Sequence, residues 1–124
     1  MLLLILFVLF FIVLKDRSLK VTSEQIVKSY ISDIKSANTN FLNKEIELSG
    51  KVKSFFQFEL EKSLLELETG KDELQLFCLL MNKETEEKAS TITAGTPVTV
   101  YGKCLGLKDY KFPNSIYIEA EQIR

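Results

Sequence analysis

Between Glu45 and Leu60 the chain alternates. Ile46, Leu48, Gly50, Val52, Ser54, Phe56, Phe58 and Leu60 fall on one face, and Glu45, Glu47, Ser49, Lys51, Lys53, Phe55, Gln57 and Glu59 on the other. A period of two over that length predicts one long, half-buried strand. Gly50 in its interior predicts a bulge or bend, which such a strand needs if it is to curl around a small barrel. Ahead of this strand the period is helical. Ile26, Val27, Tyr30, Ile31 and Ile34 recur at helical spacing, and Thr22 with Gln25 has capping-box spacing, so a helix over 22–37 is expected to bury that stripe, Tyr30 included.

Shorter strands are predicted at 64–68 and 73–81, joined by a turn at Thr69-Gly70-Lys71-Asp72. A second helix is predicted from Asn82 to Thr93, with Asn82 as N-cap, Glu84, Glu86 and Glu87 near its start, and Gly95 and Pro97 ending it. Strands at 98–105 and 115–123 complete the set and flank a loop containing Lys108, Tyr110, Lys111 and Phe112. The order is helix, three strands, helix, two strands, with a long bent first strand. It is the element order of a mainly β fold, the five-stranded Greek-key barrel of the OB-fold, with one extra helix in front, making two helices in all.

Residues 1–14, MLLLILFVLFFIVL, contain no polar side chain. A surface helix of a globular domain needs a polar face, so this run belongs in lipid or in a targeting signal. As a helix it would span about 21 Å, short of the ~30 Å hydrocarbon core, a length that also fits a signal-peptide core. No small-x-small cleavage site precedes Lys15-Asp16-Arg17, which favours an uncleaved anchor over a cleaved signal. A buried hairpin or a start upstream of Met1 are the other readings. The chain thus divides into a membrane segment, 1–17, and one domain, 18–124.

Charge and composition then narrow the function. Residues 18–124 carry 14 Lys or Arg against 16 Asp or Glu, a net charge of −2, so no global positive field draws in a polyanion. There is no His, which removes the commonest general base and a common metal ligand, and two Cys cannot make a four-ligand zinc site alone. No phosphate-binding loop, dinucleotide-binding glycine pattern or nucleophile elbow occurs. Glu59, Glu61, Glu66 and Glu68 alternate with apolar residues as solvated strand faces do. Neither an enzyme nor a cofactor is expected. Cys78 and Cys104 share the inward parity of their strands, either as two buried thiols or as a disulfide.

Two stretches resemble the tRNA-anti-like OB-fold family, a bacterial group of envelope-associated or secreted domains mostly of unassigned function. The first is Tyr30, Ala37 and Phe41-Leu42-Asn43-Lys44-Glu45-Ile46-Glu47-Leu48-Ser49-Gly50-Lys51-Val52, similar to the family's helix and first strand, with Ser49 where Thr is usual. The second, more specific, is Gly95-Thr96-Pro97-Val98-Thr99-Val100-Tyr101-Gly102-Lys103-Cys104-Leu105-Gly106, similar to the family's fourth strand with its Gly-x-Cys-x-Gly ending. Members often carry a further Cys in the last strand where this chain has Ala120, so a pairing common in the family need not hold here. The resemblance implies a domain outside the cytoplasm. Lys15, Arg17 and Lys20, behind the apolar run, argue for the cytoplasmic side by the positive-inside rule.

Binding is the remaining role. OB-folds bind on the face of strands two and three and with the loops after strands one and four. That face offers Lys51, Lys53, Phe55 and Phe77, and the last loop offers Lys108, Tyr110, Lys111 and Phe112. Lysines interleaved with aromatics suit stacked bases and neutralised phosphates. The same aromatics also suit a barrel core and its cap. A membrane-tethered, monomeric module that binds a protein or small ligand is the leading expectation, with single-stranded nucleic acid second because of the charge, and a structural envelope component third.

Overall fold

The computed structural model describes residues 18–124, and the predicted membrane segment lies outside them. Among the described residues no helix is long and apolar enough to cross a membrane. The elements are β1 (Leu19–Thr22), α1 (Ser23–Ser32), α2 (Ile34–Phe41), β2 (Glu45–Phe56), β3 (Leu64–Leu67), β4 (Leu76–Leu80), α3 (Lys83–Ser90), β5 (Pro97–Lys108) and β6 (Ser115–Ile123).

Strands β2 to β6 close a barrel in the order β2-β3-β4-β6-β5, and β5 returns to β2 through the ladder Glu45↔Lys103 to Lys51↔Pro97. β1, absent from the prediction, runs parallel beside the first half of β2, from Leu19↔Ile46 to Thr22↔Ser49. β5 buries every second residue from Val98 to Gly106, as its sequence alternation requires. The interior is filled by Leu48, Val52, Leu65, Leu67, Leu76, Leu80, Val100 and Ile118, with Ile26, Val27 and Tyr30 of α1 packed onto the same cluster. The result is a closed, mainly β barrel with three helices.

The first helix is two. Thr22 and Gln25 form the expected reciprocal capping box, Thr22 Oγ1 accepting from the Gln25 N–H at 3.1 Å and Gln25 Oε1 from the Thr22 N–H at 2.9 Å. The chain then breaks at Asp33, whose extended backbone (φ −163°, ψ 104°) ends α1 while its carboxylate accepts the Lys35 and Ser36 N–H groups at the start of α2. The break leaves Ile31 and Ile34, predicted in the buried stripe, 45% and 52% exposed. α3 is shorter than its prediction and is capped by Asn82, whose Oδ1 accepts the Thr85 N–H at 2.8 Å.

The predicted bulge of β2 is displaced from Gly50. Gly50 is needed for space, because a Cβ there would lie 2.7 Å from Ser23 Oγ on α1. The register shifts between Val52 and Ser54 instead, with Lys53 as the extra residue. Every side chain beyond it therefore changes face: Phe55 turns onto the interior core, while Phe56 and Phe58 join an outer cluster. The strand stops at Phe56, so Leu60, expected inside, is 97% exposed on the β2–β3 loop.

The Gly-x-Cys-x-Gly stretch has a steric basis at both ends. A Cβ on Gly102 would run into the Glu119 carbonyl on β6, and Gly106 sits at φ +75°, with Tyr30 Oη 3.3 Å from where its Cβ would be.

Candidate functional site

Outside the barrel a second apolar cluster covers β3, β4 and β6. Leu64, Phe77 and Tyr117 are buried there beneath Phe56, Phe58, Leu79, Leu105 and Phe112. The lid over this wall is the β5–β6 loop, residues 109–114. Asn114 takes a left-handed backbone (φ 53°), and its N–H bonds Asp109 Oδ1 at 2.6 Å, which closes the loop. Tyr117 then grips the loop by its hydroxyl, accepting the Phe112 N–H at 3.0 Å and donating to the Phe112 carbonyl at 2.8 Å. Burial raises the Tyr117 hydroxyl above its ordinary pKa, against the effect of its Phe112 backbone bond.

So held, the Phe112 ring stacks on Phe77, with centroids 4.5 Å apart and planes 10° apart, and leans on Phe56 at 5.0 Å. Phe77 stacks on Tyr117 at 5.7 Å. Offset aromatic stacks at these separations add to the stability that area burial alone gives. The broad face of Phe77, where a planar ligand would stack on an OB-fold, is thus occupied by the chain's own ring.

Lys111 ties this loop to the β2–β3 loop, residues 57–63. Its Nζ forms an ion pair with Glu61 and lies 4.8 Å from the centroid of Phe58. Leu60 stands beside Glu61, and Tyr110, 49% exposed, stands beside Lys111 with its ring edge-on to Tyr117 at 5.7 Å. The clasp therefore brings forward one apolar and one aromatic side chain on adjoining loop tips.

The eight predicted binding residues divide accordingly. Phe77, Tyr110, Lys111 and Phe112 are brought together. Lys53 borders them but pairs with Glu66 at 3.6 Å. Phe55 faces the interior. Lys51 lines a separate groove of about 580 Å³ with Thr22, Glu68 and Arg124, and Lys108 is exposed at the end of β5. Glu66, expected on a solvated face, is 4% exposed and accepts from Gln75 Nε2 at 3.3 Å. The β2 bulge brings Lys53 to it. Tyr117, Phe56, Phe58, Leu60 and Glu61 were missed as site residues. The pair Phe56 and Phe58, two apart next to an acidic loop, was the available signal.

Cys78 and Cys104 are buried free thiols. Both are register partners of Ile118, one from each side of β6, so two strand spacings, roughly 9–10 Å, separate their backbones, beyond the ~7 Å reach of a disulfide. Burial pushes the Cys78 thiol up to about 12 and also raises Cys104, which lies against the Tyr30 hydroxyl. The disulfide alternative is excluded by this geometry. Among the described residues no group of three or more His, Cys, Asp or Glu could hold a metal ion.

A family model described as tRNA_anti-like matches residues 12–114. The chain belongs to the tRNA_anti-like family. Solved structures share the OB-fold of this tRNA_anti-like domain at low identity. A lipoprotein of Klebsiella pneumoniae named for nucleic-acid binding is 10% identical with a TM-score of 0.59, the match covering 86% of this chain and 90% of that one. An OBody bound to hen egg-white lysozyme is 11% identical with a TM-score of 0.56, over 68% of this chain and 82% of the other. Asparaginyl-tRNA synthetase from Pyrococcus horikoshii is 20% identical with a TM-score of 0.52, over 68% of this chain. The match spans about a fifth of the synthetase's length, 20%. The comparison with curated proteins returns no match.

Proposed function

We propose that this tRNA_anti-like domain is a non-enzymatic binding module, tethered to a membrane by residues 1–14 and outside the cytoplasm, that recognises a protein through its two clasped loops. One observation carries the reading: the Lys111–Glu61 clasp presents Leu60 and Tyr110 to solvent while Phe112 covers the aromatic wall beneath. An exposed aromatic and an exposed leucine with charged neighbours match the anchor-and-rim pattern of protein interfaces. The OB-fold of the OBody takes a protein partner, lysozyme, which supports the same use here.

The nucleic-acid reading draws on the name of the Klebsiella lipoprotein. Against it stand the net charge of −2 over residues 18–124 and the pairing of Lys53 and Lys111 with glutamates, which leaves little charge for phosphates. The absence of His from the sequence supports a non-enzymatic role.

Two measurements test the proposal. Cross-linking from an amine-reactive group at Lys62 in the native membrane is expected to capture a protein, and Leu60→Ser with Tyr110→Ser to abolish capture while lowering the melting temperature by no more than a few degrees. Titration with single-stranded oligonucleotides is expected to give weak binding that vanishes near physiological salt. Tight, salt-resistant oligonucleotide binding would overturn the protein reading and favour nucleic acid.

A further inference from the structure

The N-terminal extension carries a groove that the loop site does not use. It has a volume of about 600 Å³ and runs between β1 and the α1–α2 pair, lined by Leu19, Lys20, Lys28, Ser32, Ser36 and Phe41. Its chemistry is mixed in a particular way. Leu19 is 41% exposed and Phe41 half-buried, giving apolar surface, while Lys20 and Lys28 stand exposed beside serine hydroxyls. Neither ion pair among the described residues involves these lysines. The groove's one carboxylate, Asp33, is occupied with the Lys35 and Ser36 N–H groups.

Charge is unevenly spread along the chain. Lys15, Arg17, Lys20, Lys28 and Lys35 outnumber Asp16, Glu24 and Asp33 in the stretch that leads into and forms this groove, although the whole chain has a net charge of −1. Cationic side chains flanking apolar ones are the pattern of surfaces that sit against anionic bilayers. Position agrees with charge. If residues 1–14 lie in lipid, the five residues from Leu14 to Leu19 reach at most about 17 Å, so the mouth of the groove stands within or just above a headgroup layer roughly 5–8 Å deep.

We infer that the groove between β1 and α1–α2 receives the headgroup of an anionic phospholipid from the bilayer that holds residues 1–14. Lys20 and Lys28 bind the phosphate, the Ser32 and Ser36 hydroxyls donate to its oxygens, and Leu19 and Phe41 meet the upper acyl carbons. This assignment rests on the tether proposed above. Its consequence is that the domain takes a fixed orientation on the membrane rather than swinging on a linker.

The test uses the full chain reconstituted into vesicles of phosphatidylcholine alone, or with a third phosphatidylglycerol. Labelling of individual lysines by a membrane-impermeant amine reagent is read by mass spectrometry, with Lys71 in the β3–β4 turn as internal reference. Labelling of Lys20 and Lys28 is expected to fall about fivefold in the anionic vesicles, the shift that attraction of one lysine to an anionic leaflet supplies, while Lys71 stays unchanged. Hydrogen exchange over residues 19–36 is expected to slow in the same vesicles, and Lys20→Gln with Lys28→Gln to remove that slowing. Equal labelling in both vesicle types, with the chain floating with both, overturns the groove assignment and leaves the tether standing. A chain that floats with neither removes the tether and this assignment with it. Protection by inorganic phosphate in neutral vesicles, equal to that by phosphatidylglycerol, overturns the lipid source in favour of a soluble phosphate.

Discussion

Replacing Phe112 by Ala separates a structural cap from a ring that waits for a ligand. The side chain stacks on Phe77, leans on Phe56 and helps to bury Tyr117, but is itself half-buried. Truncating a fully buried Phe costs about 3–5 kcal/mol, part of it for the cavity left behind. Phe112 lies at the surface, so its removal leaves a dent that water fills, and the transfer part falls to about 1–1.5 kcal/mol. Two aromatic contacts at about 0.5–1.5 kcal/mol each bring the expected loss to about 2–4.5 kcal/mol. For a domain of this size that lowers the melting temperature by about 8–20 °C. Tyr110→Ala, which removes a half-exposed ring with one edge contact, is expected to cost under about 1 kcal/mol. Thermal unfolding of the full chain in a mild detergent, followed by circular dichroism, reads both. A Phe112→Ala protein that melts within 2 °C of the wild type would refute the reasoning, because the ring would then rest on the wall without supporting it.

Gly102→Ala is expected to prevent folding or to cost more than about 4 kcal/mol, since the new methyl group meets β6 backbone. Gly106→Ala is expected to cost about 1–3 kcal/mol from its positive φ and the neighbouring Tyr30 hydroxyl; urea unfolding ranks the two, and the reverse order would contradict the packing described. Cys78 binds its proton more tightly folded than unfolded, so its contribution is complete below about pH 9 and is lost as pH rises from 9 towards 12. Cys78→Val is expected to flatten the alkaline fall in stability measured over that range, and an unchanged slope would assign the fall to other groups.

The order of elements was legible because burial in a closed barrel imposes a strict period. From Val98 to Gly106 the alternation in sequence is the alternation in space. It failed where one residue was inserted without a mark. Nothing in Val52-Lys53-Ser54 distinguishes a bulge from a continuous strand, yet the shift there exchanges Phe55 for Phe56 on the core face and takes the candidate site with it. Asp33 was a signal passed over, an N-cap residue inside a helical stripe. β1 could not be read, since four residues carry no period and its partner, β2, is distant in sequence. The ion pair of Lys53 with Glu66 depends on the bulge and so was equally hidden.

The ladder between β2 and β5 has a kinetic consequence. It pairs Glu45 with Lys103 and Lys51 with Pro97, segments roughly fifty residues apart, and no shorter-range contact can substitute for it in closing the barrel. Loop-closure entropy must be met before that ladder returns any stability, so closure is the slow step and comes only once β5 and β6, which joins it to β4, have left the ribosome. Until then the inner faces of β2, β3 and β4 are open, with Leu48, Val52, Leu65, Leu67, Leu76 and Leu80 uncovered. During synthesis this small domain therefore passes through a state in which its edges are free to pair with other chains, and the membrane tether proposed above would hold that state away from its neighbours in solution.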